Sequence, residues 1–145
     1  MIAGKPLQGW LDRAGELAAA GRFFDAHEEL EVPWRAAEGE TKLLLQGLIQ
    51  IAAGLHRLKL QPGKTDGARY LLDRGLEKLR RTRALLSQGS LAALEAALKD
   101  AAASGSPPAD LSLRLRAVRG RTRGASGDPG MLYTRLRGGH PRTQK

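Results

Sequence analysis

Residues 43–60 form a stretch that is apolar on almost every side of a helix. At about 100° per residue, Leu44, Leu48, Ile51, Leu55 and Leu58 line one side, and Leu45, Ile49 and Ala52 line another. A helix with no wettable face must be surrounded by other elements, so this segment predicts a central helix. Gly47 and Gly54 interrupt it at a cost of about 1 kcal/mol each relative to Ala. Their missing side chains allow close neighbours. The segment does not read as a membrane span, because Gln46, Gln50, His56, Arg57 and Lys59 break it. No stretch reaches the roughly 20 apolar residues such a span needs.

The surrounding helices can be read from the same period. Trp10, Leu11, Ala14, Leu17 and Ala18 mark a first helix, with Gly21 suited to the left-handed position after its end. A second helix starts at Phe23 and contains Pro33, which lacks an N–H and clashes with the carbonyl four residues back. A kink or an early end is expected there, with Trp34 in the final turn. Thr41 is expected to cap the third helix, and Pro62-Gly63 to stop it. A fourth helix begins near Thr65 or Asp66, with Ala68, Leu71, Leu72, Gly75, Leu76 and Leu79 on one face and Arg80, Arg81 and Arg83 near its C-terminal end. Gly89-Ser90 reads as stop and N-cap, and Leu91, Leu94 and Leu98 mark a short fifth helix.

The expected fold is therefore all-α: a compact bundle of about four to five helices over residues 1–104. A basic, Gly/Arg/Pro-rich tail follows over 105–145. The tail opens with an alternating stretch from Leu111 to Arg119, expected to lie on the bundle as a helix or an extended segment. From Gly120 onward its composition predicts disorder. Charge follows the same division. Residues 1–110 carry 15 Lys/Arg and 14 Asp/Glu, a net +1, whereas residues 111–145 carry 9 Lys/Arg and 1 Asp, a net +8. A chain of 145 residues without cysteine can bury a core without staples and has neither disulfides nor thiolate metal sites. The first ten residues lack a charged head followed by an apolar run, so no signal peptide is expected. The expectation is a cytoplasmic protein with no membrane partner, a monomer or a small homo-oligomer.

Ionisable groups interrupt the apolar pattern of the second helix. Phe23, Phe24, His27, Leu30, Glu31 and Trp34 fall on one face roughly 120° wide, which places a histidine and a carboxylate in the middle of an apolar stripe. Burying such groups costs several kcal/mol unless they are paired. They are expected either to hold the fold together or to form its site.

The blocks Phe-Phe-Asp-Ala-His-Glu-Glu-Leu-Glu with Trp-Arg (23–35) and Leu-Leu-Gln-Gly-Leu-Ile-Gln-Ile-Ala-Ala-Gly-Leu-His (44–56), then Gly67-Ala68 before Leu71-Leu72, resemble a bacterial and archaeal family, domain of unknown function 309. The resemblance covers roughly residues 10–85. It implies a compact helical bundle with no agreed activity. His27, Glu28, Glu31, Trp34, Gln46, Gly47, Gln50 and His56 match the family's signature positions. The chain departs from the family pattern at Pro33 and in the loop 61–66.

Several constellations on these helices carry possible chemistry. His27 and Glu31 stand four apart, so their side chains meet on the helix surface. The pair fits a packing contact, a carboxylate-oriented general base or part of a metal site. The order His27-Glu28-x-x-Glu31 resembles a zincin pattern with Glu for the second His. A divalent metal would need a third ligand, for which His56 is available. No other cofactor is expected. Gln46 and Gln50 share a stripe with Leu43, Ala53 and Arg57. They form a solvent edge or an amide network, or they face His27 and Glu31 across an antiparallel hairpin, for which the connection 36–40 is short enough. In the last case His27, Glu28, Glu31, Trp34, Gln46, Gln50 and His56 outline one polar pocket. In the tail, Arg114, Arg116, Arg119, Arg121 and Arg123 suit nucleic-acid phosphates without sequence preference.

Three functions follow from these readings: a structural or small-ligand- or partner-binding module, a hydrolase using His27 and Glu31, and a nucleic-acid accessory protein acting through the tail.

Overall fold

The computed structural model describes residues 6–108 and 115–117. They form five helices: α1 (Leu7–Ala19), α2 (Phe23–Ala36), α3 (Gly39–Leu60), α4 (Asp66–Arg81) and α5 (Gln88–Ser104), with a short 3-10 turn at Arg83–Leu85. The fold is all-α, as the sequence predicts. No helix among the described residues is long and apolar enough to cross a membrane.

Helix α3 is central. It packs against α2 on one side and α4 on the other, α1 covers α2, and α5 lies against α4. Leu44, Leu45, Ile51, Leu55 and Leu58 are fully buried, and Leu48 and Ala52 nearly so. Fully burying a side chain of this kind contributes about 1.5–3 kcal/mol, which makes the all-round apolar pattern of α3 the main source of cohesion. Ile49 is only partly buried.

The α3–α4 contact is set by small residues. A Cβ on Gly47 would lie 2.9 Å from the Gly75 carbonyl oxygen and from Lys78 Cβ. A Cβ on Gly54 would lie 2.9 Å from Leu72 Cδ2 and 3.1 Å from the Ala68 carbonyl oxygen. The two helices run antiparallel with their backbones nearly touching, so a side chain on Gly47 meets backbone that cannot yield, and one on Gly54 needs the Leu72 side chain to shift.

Local signals fix most of the remaining ends. After α1, Gly21 adopts φ 78°. The Gly21 N–H donates to Ala18 O at 2.9 Å and the Arg22 N–H to Leu17 O at 2.8 Å, the paired bonds of a Schellman stop. Lys59 Nζ donates to Gly21 O at 2.7 Å and ties this turn to the end of α3. Pro33 is buried inside α2, which does not end at the proline but runs on for three residues to Ala36, so that Trp34 lies in the last turn.

Three expectations need correction. Thr41 does not cap α3, which starts at Gly39 with Glu38 at the N-cap position; Thr41 is buried in the first turn. Gly89-Ser90 does not start α5. Ser87 is the N-cap residue and the helix runs from Gln88 to Ser104, longer than the leucine spacing suggests. The reason is a distant contact, in which the Ser87 N–H donates to Arg116 O at 2.8 Å. Finally, His27 and Glu31 do not sit in the middle of the buried stripe of α2. That stripe is Phe23, Ala26, Leu30 and Pro33, and the two ionisable residues flank it.

Residues 115–117 lie against the bundle. Leu115 is buried in the core and Ala117 forms an isolated antiparallel bridge with Leu86. Gln8 holds both sides of this segment: its Nε2 donates to Leu115 O at 2.9 Å, and its Oε1 accepts from the Ala117 N–H at 2.8 Å. The disorder expected from Gly120 onward lies outside the described residues.

Candidate functional site

Two contacts fix the antiparallel register of α2 and α3. At one end the Phe24 ring stands 5.4 Å from the His56 ring. At the other, Lys42 Nζ lies 4.4 Å over the Trp34 ring. Between these ends, the register sets His27 level with residues 50–53 and Glu31 level with residue 46. His27 and Glu31 on α2 and Gln46 and Gln50 on α3 thus lie at matching heights along the α2–α3 seam. No hydrogen bond joins Gln46 or Gln50 to His27 or Glu31.

His27 Nε2 lies 3.5 Å from Glu31 Oε2, and Arg35 Nη2 donates to Glu31 Oε1 at 3.4 Å. The His27 and Glu31 side chains are 24% and 30% exposed, the Arg35 side chain 58%. Two polar atoms at this seam are shut from solvent and have no partner: His27 Nδ1 and Gln50 Oε1. With Nε2 turned to the carboxylate, Nδ1 is the nitrogen left to accept a proton or a hydrogen bond. An orphaned buried acceptor costs about 1–3 kcal/mol.

Phe24 organises the outer part of the site. Its ring stacks on the His27 ring at 5.8 Å with the planes 16° apart, and lies 5.4 Å from the His56 ring with the planes tilted by 46°. Phe24 is 48% exposed, although the sequence places it on the buried face. Two adjacent phenylalanines point about 100° apart. Once Ala26, Leu30 and Pro33 complete a stripe with Phe23, Phe24 must turn outward. The 100° offset is a sequence signal that Phe23 and Phe24 cannot both be central, but which of the two is buried is decided by packing against α3.

The other predicted residues are distributed as follows. Glu28 is exposed and away from the seam, and Gln46 is half-buried. Trp34 packs against the core edge under Lys42. Among the described residues no three of His, Asp and Glu come together in a group that could hold a metal ion; the Phe24 ring lies between His27 and His56. In the tail, Arg116 Nη1 lies 3.3 Å from Asp12 Oδ1. Arg114, Arg119, Arg121 and Arg123 lie outside the described residues.

One depression opens elsewhere, with a volume of about 420 Å³, between the end of α4 and the start of α5. It is lined by Arg80, Arg83, Ser87, Leu91, Ala92 and Glu95, and contains none of the residues predicted from the sequence.

No curated protein and no solved structure matches the chain. Residues 11–71, which span α1, α2, α3 and the start of α4 and so include the whole His27–Gln50 seam, match the model of the family described as Domain of unknown function (DUF309), the family the sequence resembles.

Proposed function

We propose that the chain is a non-enzymatic binding module whose α2–α3 seam takes a small polar molecule. The observation that carries this reading is the pair of orphaned acceptors, His27 Nδ1 and Gln50 Oε1, beside the exposed Phe24 ring. Both acceptors are closed to solvent, so a ligand presenting N–H or O–H donors relieves them by parting the α2–α3 seam, while a flat apolar portion covers Phe24. The hydrolytic alternative rests on His27 with Glu31 as its one neighbouring carboxylate. The divalent-metal alternative rests on His27 and Glu31 without a third ligand beside them.

The test is native mass spectrometry of the untagged full chain purified without chelator, beside Phe24→Ala and Gln50→Leu. A small organic adduct on the wild type that both variants lose supports the reading. A metal adduct lost in His27→Ala supports the alternative. Absence of any adduct, together with unchanged melting temperature across a panel of heteroaromatic amides and alcohols, refutes the ligand seam.

A further inference from the structure

The outer edge of α4 carries a feature that the seam does not use. At 100° per residue, Tyr70, Arg74, Lys78 and Arg81 occupy one arc about 80° wide. Cations therefore recur at about one helical turn of 5.4 Å. Tyr70 is 63% exposed, and the Arg74 guanidinium lies over its ring at 5.8 Å. None of Arg74, Lys78 and Arg81 forms an ion pair among the described residues, whereas Arg80, on the opposite side of α4, is bound to Glu95 at 2.7 Å. Arg74 and Arg81 both act on Lys78 in the sense that disfavours its charge; Glu77, at the rim of the arc, acts in the opposite sense. Like charges crowded along one edge of a helix are unfavourable in the free protein and favour an anionic partner that spans them.

We propose that this edge binds single-stranded nucleic acid, with phosphates on Arg74 and Arg81, the buried Lys78 behind them adding its charge, and a base stacked on Tyr70. A basic track beside an aromatic platform is the arrangement that single strands use. An acidic peptide would match the cations but has no use for the exposed ring, and a duplex keeps its bases stacked away from it. The chain's net charge of +9 draws a polyanion toward the whole molecule, but the α4 edge lies on the nearly neutral body and is independent of the tail.

The test uses the full chain and fluorescein-labelled oligo-dT and oligo-U of about 15 nucleotides, a length that fits single-strand sites, with a duplex of the same length and poly-glutamate as comparators. Fluorescence anisotropy is read over a salt series. The Arg74→Ala/Arg81→Ala variant is expected to weaken single-strand binding about tenfold or more and to reduce the salt slope by about 1.4, at about 0.7 per phosphate contact. Tyr70→Ala is expected to weaken single-strand binding about tenfold, to leave the salt slope unchanged and to spare the duplex. Replacing Arg119, Arg121 and Arg123 by alanine must leave the effect of the α4 substitutions intact. Wild-type affinity in the double variant overturns the proposal, as does absence of binding by the wild type at low salt. Poly-glutamate binding as tight as oligonucleotide binding, with no effect of Tyr70→Ala, overturns it in favour of an acidic protein partner. Both substituted arginines and Tyr70 are exposed, so circular dichroism is expected to show the same helicity in every variant.

Discussion

A Cβ on Gly75 would stand 2.5 Å from Ile51 Cγ1 and 2.6 Å from the Gly47 carbonyl oxygen, and the second of these is backbone that cannot swing aside. Gly75→Ala must therefore push α4 off α3, and its expected cost is about 2–3 kcal/mol. Gly89 is the control. It lies in the first turn of α5 with open space where its Cβ would be, so Gly89→Ala is expected to stabilise by about 0.5–1 kcal/mol through helix propensity. Urea unfolding of both variants checks the contrast, and equal midpoints would show that the helix contact is looser than the geometry requires. The same scale decides between the two roles of His27. A fully buried ion pair would cost several kcal/mol to break, but His27 and Glu31 are a quarter to a third exposed, and such a pair is worth about 0–1 kcal/mol. Removing His27 also removes the orphaned Nδ1. His27→Ala is therefore expected to unfold within about 1 kcal/mol of the wild type with its helicity intact. A variant that fails to fold would return the pair to a structural role.

Among the elements, legibility depended on whether the deciding contact was local. The period of α3 and α4 and the Gly21 stop follow from neighbours within one or two turns, and the sequence predicts them. The start of α5 does not, because Ser87 is held by the Arg116 carbonyl about thirty residues further on. The wheel of α2 put His27, Glu31 and Phe24 on the buried face because apolar spacing alone leaves the stripe's centre free to rotate. Packing against α3 chose the arc through Ala26 and Pro33 instead. The orphaned atoms of the seam depend on side-chain geometry across two helices, which no spacing reveals. The segment 115–117 illustrates the same limit: its alternating pattern is strand-like, yet it pairs with no strand, and its partners are Leu86 and Ser87 through backbone and the side chains of Gln8, Asp12 and Ser90. Gln8→Ala removes two hydrogen bonds to the segment, at about 1 kcal/mol each, and an exposed one to Asp12, whereas Leu115→Ala empties a core position, at about 2–4 kcal/mol. Chemical denaturation is expected to rank Leu115→Ala as the more damaging. The reverse order would mean that the segment is held by its backbone and not by the leucine.

For the molecule as a whole, one pH-dependent contribution to stability comes from Lys78. The Lys78 side chain packs its stem against Gly47 at the α3–α4 contact and is only 9% exposed. Burial, reinforced by the Arg74 and Arg81 charges and opposed by Glu77, holds its pKa below the ordinary lysine value. In the unfolded chain the same amine titrates at about 10.4. Between these two values the unfolded state binds more protons than the folded one, so folding stability rises with pH through that window. The penalty of holding Lys78 charged is fully present below the folded pKa and disappears as the amine deprotonates. Lys78→Met keeps an unbranched apolar stem on Gly47 and removes the titrating group. Relative to the wild type it is expected to be more stable at neutral pH, and the advantage is expected to shrink toward pH 10.4, where the wild-type amine has lost its charge. Paired denaturation curves across that alkaline range make the measurement, and the difference between the two proteins cancels the titration of the other lysines and tyrosines. A constant difference at every pH would place the Lys78 ammonium in solvent, leaving only its stem in the helix contact.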